Sequence, residues 1–478
     1  MPTLVLLRTA LLVAVLSVAA TAWHEWDGGA LKIALGLAEL AGVGWLMHWV
    51  LKRHWVLNRP VPAVWVPISR QPAWLLPLAV AFGIRLLWTL VAQTKPMSDF
   101  QEYCDLGTHL AQTGVFGLAG PSAYRPPALP AVLAIFHLLG LPLPLATGVF
   151  HALLGAIAVP AVHFLAGRLA TSDAEPLQPA PRAQSAALLA AWLWALWPSQ
   201  VLGSVLVATE PLFTVVLVWS MVFGLRALAQ PQFGRALGWA IAAGIGFGLA
   251  GYVRSHALVV PWLWAGLLVL HGRAGWRRLP KLAVVCACSV LVLVPWGLRN
   301  QRQVGQFLIT TTSSAMTLVY GNHPKATGRY GPIDFEVPGK TELEIFHNAN
   351  RMGQTWIIDN PAQFIALIPR KWLALLALDT DEASFALRDP PLLGWRPAAF
   401  AVCTLAWIVA KALALVAVWR RQSALNSDGL MACTAVLWTW LLIHALFHGQ
   451  FRYHAAWVPV VLALAAVALR RGGAPENR

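Results

Sequence analysis

The chain has 478 residues, 58% of them hydrophobic and only 12% charged, with a formal net charge of +15. Apolar runs of about 20 residues recur along it, which excludes a single large soluble core and points to a polytopic membrane protein. Its Lys and Arg residues fall mainly in short connectors between those runs, so the basicity reads as membrane topology and no nucleic-acid partner is expected.

The runs are continuous rather than alternating, and a spanning chain must satisfy its backbone internally. Helices are therefore expected rather than a barrel: an all-α polytopic fold of about 11 to 13 transmembrane helices. The start, MPTLVLLRTALLVAVLSVAATAW, has an apolar core and an Ala20-Thr21-Ala22 end that imitates a cleavable signal, but its positive start is weak and it reads as an uncleaved first helix. Candidate spans fall at 3–22, 31–50, 73–94, 128–142, 145–167, 185–202, 207–228, 235–252, 254–271, 281–297, 398–419, 429–447 and 455–470.

The basic connectors KRHWVLNRPVPAVWVPISR, RALAQPQFGR, GRAGWRRLPK and RRQSALNSDG and the tail RRGGAPENR are assigned to the cytoplasm. The alternate connectors then lie outside: WHEWDGG, the acidic stretch from Lys95, the segment before Glu210, the long piece from Arg299 to Pro361, and HGQFRYH. That alternation does not let 128–142 and 145–167 both cross. The Pro-rich YRPPALP makes 128–142 the short or re-entrant one, since proline costs about 3 kcal/mol in a helix interior. FIALIPRKWLALLAL carries Arg370 and Lys371 in its middle and reads as an interfacial amphipathic helix. The expected division is 1–72 for two N-terminal helices and a cytoplasmic connector, 73–297 for a catalytic core with its first outer loop at 95–127, 298–397 for an outer cap with the interfacial helix, and 398–478 for the last helices and a basic tail. No internal repeat is evident, which weakens a repeat-built transporter. The five cysteines make neither a disulfide framework nor a Cys-x-x-Cys site.

In a chain with so few acids, SDFQEYCDL places Asp99, Glu102 and Asp105 together at a membrane boundary. On a helix Asp99, Glu102 and Tyr103 share a face, while Asp105 points elsewhere. The same pattern also suits a cap at Ser98 or Asp99 with acids in a first turn. Glu210 opens an apolar helix in SVLVATEPLFTVVLVW, and an acid at membrane depth marks either a functional site or a helix-start carboxylate ahead of Pro211. Arg254, Lys325 and Arg452 lie on the same side against the positive-inside trend. They suit an anionic ligand such as a lipid-linked phosphate, or snorkelling to headgroups. His444, His448 and His454 raise a metal question, but no third ligand sits in that helix and no HExxH or zinc-type spacing occurs, so no metal site is assigned. The Trp residues at helix ends read as an interfacial belt.

In chain order, SDFQEY, THLAQTGVFG with YRPPALPAVLAIFHLLG, ATEPLF, YVRSHAL, VYGNHPKATGRYGP and FRYHAAWVP resemble the bacterial family 39 members of the GT-C membrane glycosyltransferases, relatives of the protein O-mannosyltransferases and of the enzymes that add aminoarabinose to lipid A. The resemblance covers about residues 73 to 470. It implies a polyprenyl-phosphate sugar donor, a lipid, glycan or protein acceptor, surrounding membrane lipids, and a site on the outer face of a bacterial inner membrane. Asp99 matches the family's catalytic aspartate and Glu210 a second acid, while Arg254, Lys325 and Arg452 match cations expected on the donor phosphate. Glu102, Tyr103, Tyr124, Arg125, His323, Tyr453 and His454 lie in the same motifs and are expected to contact substrate. The chain departs from the pattern at His323, where relatives more often carry Asn, and after Asp99, where Phe100 replaces a second acid. No organic cofactor is implied. Glu210 is left three roles: tuning Asp99, binding the acceptor, or sharing a divalent cation with it.

The reaction expected is an inverting sugar transfer with Asp99 as general base. Its rivals are a transporter or flippase for a lipid-linked anion, which needs charges midway along helices, a polysaccharide polymerase or ligase that would not require Asp99, and a structural membrane subunit.

Overall fold

The computed structural model describes residues 2–24, 72–92, 94–171, 181–331, 333–420 and 425–469. Among them the protein is helical, with an isolated β-bridge between Arg329 and Gly449. Seven helices are long and apolar enough to cross a membrane: Leu143–Leu169, Glu210–Ala229, Phe233–Val253, Leu279–Gln303, Leu392–Trp419, Ser427–Leu446 and Phe451–Leu469. Ala183–Ala195 and Pro198–Val205, bent by 45° at their break, make an eighth if the pair is one span. The expected all-α polytopic membrane fold is the one observed. The candidate span at 31–50 lies outside the described residues.

Ala128–Leu138 is an 11-residue helix, about 16 Å long against a hydrocarbon core of about 30 Å. It is too short to cross.

The bent span has a local cause. Pro198 has no N–H, so the carbonyls before it lose helical partners; those of Trp194 and Ala195 accept the Arg85 guanidinium at 3.2 and 2.8 Å. Arg85 is 1% exposed and lies midway along Leu75–Val91, and Gly155 leaves it room, since a Cβ there would come within 2.5 Å of Nε. Lys411 does similar structural work inside Arg396–Arg420. Its ammonium donates to the carbonyls of Ala14 and Leu376 at 2.8 and 2.7 Å, joining three helices. The first helix, Pro2–His24, buries Leu7, Ala10, Leu11 and Ala14 as one i, i+3, i+4, i+7 stripe.

Residues around Ser313–Gly321 and Glu342–Asp359 form a cap with its own small core of Ala315, Val319 and Ala349. Glu342 Oε1 accepts from the backbone of Ala123 at 2.9 Å and from Thr312 Oγ1 at 2.6 Å, tying the cap to the first loop. On the other side, Lys371 Nζ donates to Asn322 Oδ1 at 2.8 Å and to the carbonyls of Ala445 and Leu446, both at 3.1 Å. This lysine belongs to the Pro361–Leu376 helix. Its second half is packed inside the protein, because Lys371 closes the free C-terminal carbonyls of Ser427–Leu446 instead of snorkelling to water.

Candidate active site

Four charged side chains from four separate parts of the chain meet at one end of the bundle. Asp99 is the first residue of Asp99–Thr113, reached through Ser98, whose φ of 51° makes it the one positive-φ non-glycine among the described residues. Such a conformation costs about 1–3 kcal/mol and persists where the surroundings hold it. Ser98 makes no side-chain cap hydrogen bond, and Asp99 Oδ2 accepts from Arg452 Nη2 at 2.7 Å. Ser98 stands at the N-cap and Asp99 and Glu102 in the first turn, the placement the cap reading also expects.

Glu210 opens its helix with Pro211 behind it, the position where a missing N–H costs nothing. Its Oε1 lies 2.6 Å from Arg254 Nη2 and 3.5 Å from Arg452 Nε. Arg254 ends Phe233–Val253 in extended backbone, φ −149° and ψ 113°, and its Nε and Nη2 also donate to Thr209 Oγ1 at 3.1 and 3.0 Å. Its guanidinium lies 4.9 Å from the Tyr453 ring centroid. The result is an alternating chain, Asp99–Arg452–Glu210–Arg254, whose side chains are all under 20% exposed. The charges neutralise one another, as buried charges must.

A second pair flanks it: Glu102 Oε2 accepts both Nε and Nη2 of Arg125, and that guanidinium covers the rings of Tyr103 and Tyr124 at 5.7 and 5.3 Å. Burial above all pushes the Tyr103 phenol up to about 12; it also feels Arg125, Asp99, Arg254 and Glu210, which places it between the two clusters. Tyr103 is thus a neutral hydrogen-bonding group.

Beside Arg452 lies a small cavity lined by Phe100, Ser199, Gln200, Glu210, Glu382, Phe385 and Arg452, among others. Sequence reasoning missed Ser199, Gln200 and Glu382, and also Asp381, whose Oδ2 accepts from the Arg452 backbone N–H at 3.2 Å. The signal was available for the acids: Asp379, Asp381 and Glu382 cluster after an apolar run in a chain with 20 acids. Burial, reinforced by Asp379 and Asp381, raises Glu382 well above the usual carboxylate range.

Three expected site residues are elsewhere. Lys325 pairs with Asp334 on the cap surface, its side chain 73% exposed, so it does not join the cluster. His454 is buried, with Nδ1 on Leu375 O at 3.1 Å and Nε2 on Asp379 Oδ1 at 3.2 Å, and its ring stacks on Trp407. It positions the acid-bearing segment and has no free edge for substrate. His323 is buried in the cap, where Nδ1 accepts from the Lys325 backbone at 3.3 Å. Tyr453 stacks on His444 at 5.4 Å, and His448 lies 6.0 Å from it. Among the described residues no group of three or more His, Cys, Asp or Glu is placed to hold a metal ion.

The described residues form a polytopic helical bundle with these paired charges gathered at one end. The apo oligosaccharyltransferase of Archaeoglobus fulgidus superposes with a TM-score of 0.50 at 17% identity, over 83% of this chain and 50% of that one. ArnT of Cupriavidus metallidurans bound to undecaprenyl phosphate gives 0.41 at 18%, over 83% and 77%. The A. fulgidus oligosaccharyltransferase AglB with an inhibitory peptide and a dolichol-phosphate gives 0.47 at 15%, over 83% and 50%. The chain thus spans about half the length of the oligosaccharyltransferases it matches. No family model and no curated protein matches the sequence.

Proposed function

We propose that the protein is a membrane glycosyltransferase that moves a sugar from a polyprenyl-phosphate carrier to an acceptor hydroxyl, working at the outer face of a bacterial inner membrane. The observation that carries this reading is the Asp99–Arg452–Glu210–Arg254 chain opening on a cavity at one end of the bundle. Two guanidiniums side by side are suited to a phosphate, whose oxygens accept paired N–H bonds. A phosphate bound to Arg452 competes with Asp99 for the same N–H groups and frees the carboxylate. Asp99 then takes the proton of the acceptor hydroxyl as its oxygen attacks the anomeric carbon, the bond to phosphate breaks, and the phosphate leaves with the electron pair toward Arg452 and Arg254. One displacement inverts the anomeric centre. Fixed cations at the leaving oxygen favour the transition state because charge grows there.

A divalent cation between Asp99 and Glu210 would have to displace Arg452, which already joins them. No step is therefore routed through a metal. The fold is shared with an oligosaccharyltransferase, and that likeness supports the reading at the level of fold only. A transporter would place its working charges mid-membrane. The mid-helix cations Arg85 and Lys411 are instead bonded to backbone carbonyls, whereas the clustered charges lie at helix ends.

The test is envelope-glycan mass spectrometry on a deletion strain complemented with wild type or Asp99→Asn at matched membrane expression. A modification lost on deletion, restored by wild type and still absent with Asp99→Asn supports the transferase. Full restoration by Asp99→Asn removes Asp99 from the chemistry and favours a polymerase-type enzyme or a transporter.

A further inference from the structure

We propose that Arg388 is a positioning residue for Asp99: together with Phe385 it grips the chain on both sides of Ser98 and holds that residue in the strained turn that sets Asp99 against Arg452. This rests on the catalytic role given to Asp99 above and adds to the site a residue that touches no reacting atom.

Ser98 combines φ 51° with ψ −129°, a region that a residue with a Cβ enters only under constraint and that glycine occupies freely. Its own side chain does not supply the constraint, since it makes no cap hydrogen bond. The neighbours do. On the N-terminal side, Arg388 Nη2 donates to the Lys95 carbonyl at 2.6 Å, and Nη1 meets Met97 Sδ. On the C-terminal side, the ring of Phe385 meets that of Phe100 edge to face at 5.3 Å, and Phe100 is 3% exposed, packed with Leu206, Val207 and Ala386. Between these grips Met97 O accepts from the Phe100 N–H at 3.0 Å and Ser98 O from the Glu102 N–H at 3.1 Å. The helix therefore begins at once, and the sharp change of direction falls on Ser98.

The same segment fixes the other partner. Asp381 opens the short helix Asp381–Ala386, which carries Phe385, and accepts from the Arg452 backbone N–H at 3.2 Å. The stretch 381–388 thus holds both ends of the 2.7 Å Asp99–Arg452 contact. A charge-assisted bond to a carbonyl is strong enough to offset strain of the kind found at Ser98, and the Arg388 side chain, 23% exposed, is sheltered enough to make it. When a phosphate takes Arg452 from Asp99, the grip keeps the carboxylate in place instead of letting the turn relax.

The experiment is hydrogen–deuterium exchange of the purified full-length protein, with Arg388→Met, which keeps the apolar stem but no donor, alone and combined with Ser98→Gly. In Arg388→Met the amides of Phe100, Gln101 and Glu102 should exchange about tenfold faster, the change that a relaxation of about 1.4 kcal/mol gives, while Leu143–Leu169 stays protected. Adding Ser98→Gly should bring the rate back to within about threefold of wild type, because glycine takes a positive φ without help. A ligand role or a general packing role for Arg388 gives no such rescue. The assignment is overturned if the turn exchanges as in wild type in Arg388→Met, if Ser98→Gly fails to restore it, or if the acceleration spreads through Leu143–Leu169. The link to Asp99 is read by the complementation assay above, where Arg388→Met should lower the modification about tenfold and Ser98→Gly should recover it. Full modification by Arg388→Met, where Asp99→Asn abolishes it, removes the positioning role. A deletion that alters no envelope glycan counts against the transferase reading alone, since exchange judges the turn by itself.

Discussion

Arg452 reaches across 353 residues of chain to hold Asp99 at 2.7 Å through Nη2, and its Nε lies 3.5 Å from Glu210. One planar cation thereby joins the first-loop helix to the start of an apolar one. Asp99→Asn should lower turnover about 10²- to 10⁴-fold, the usual contribution of a positioned base, while donor affinity holds. Arg452→Lys keeps the charge but not the fork, so it should weaken donor binding as well. Steady-state transfer assays separate the two, and an Asp99→Asn enzyme with more than a tenth of wild-type turnover would rule out the general-base role.

Glu210 and Arg254 form a largely buried ion pair, 8% and 16% exposed in their side chains. Arg254→Gln leaves the buried carboxylate only its longer contact with Arg452 and should cost up to about 3–5 kcal/mol of stability. Adding Glu210→Gln should recover much of that loss without restoring activity, because the phosphate partner is still missing. Thermal unfolding of the two single variants and the double variant in one detergent checks this; a double variant no more stable than Arg254→Gln excludes the pair as the cause.

Much of this was legible in the sequence, and the physical reason is uneven. The apolar runs gave the helices because bilayer thickness sets their length. Asp99, Glu210, Arg254 and Arg452 stood out because charge is scarce in such a chain and each lies at a helix end. Lys371 stood out through the same scarcity, but the groups that receive it come from distant parts of the chain and carried no sequence signal. Ser199 and Gln200 carried no signal, since neutral residues beside a proline look like an ordinary helix break. His454 shared a motif with Arg452, but helical residues two apart point to different sides, and its side is the core.

Lys325 offers a contrast within the cations singled out from sequence. Exposed pairs like Lys325–Asp334 contribute little, so Lys325→Ala should leave stability unchanged and transfer within about threefold of wild type. A loss as large as that of Arg452→Lys would mean that the cap closes over the donor and brings Lys325 to the phosphate.

Lys371 should matter for architecture instead. Lys371→Met strands Asn322 Oδ1 and two helix-terminal carbonyls, about 1–3 kcal/mol for each buried group left unpaired. The cap should loosen before the bundle does. Hydrogen exchange across 313–359 should accelerate in Lys371→Met while the Leu143–Leu169 helix stays protected; uniform acceleration would show that the anchor serves the whole fold.

Glu382 gives the protein a pH signature whose sign is fixed by burial. Its carboxyl titrates well above the usual range in the folded state, against about 4.3 when unfolded. The folded form therefore holds the proton more strongly. The stability this contributes is fully present below the unfolded value and is lost as pH rises through the folded one. Glu382→Gln removes the titration while keeping a neutral group of the same shape, so the melting temperature of wild type should fall relative to the variant between about pH 5 and pH 8. A constant gap across that range would mean that Glu382 is ionised in the folded protein.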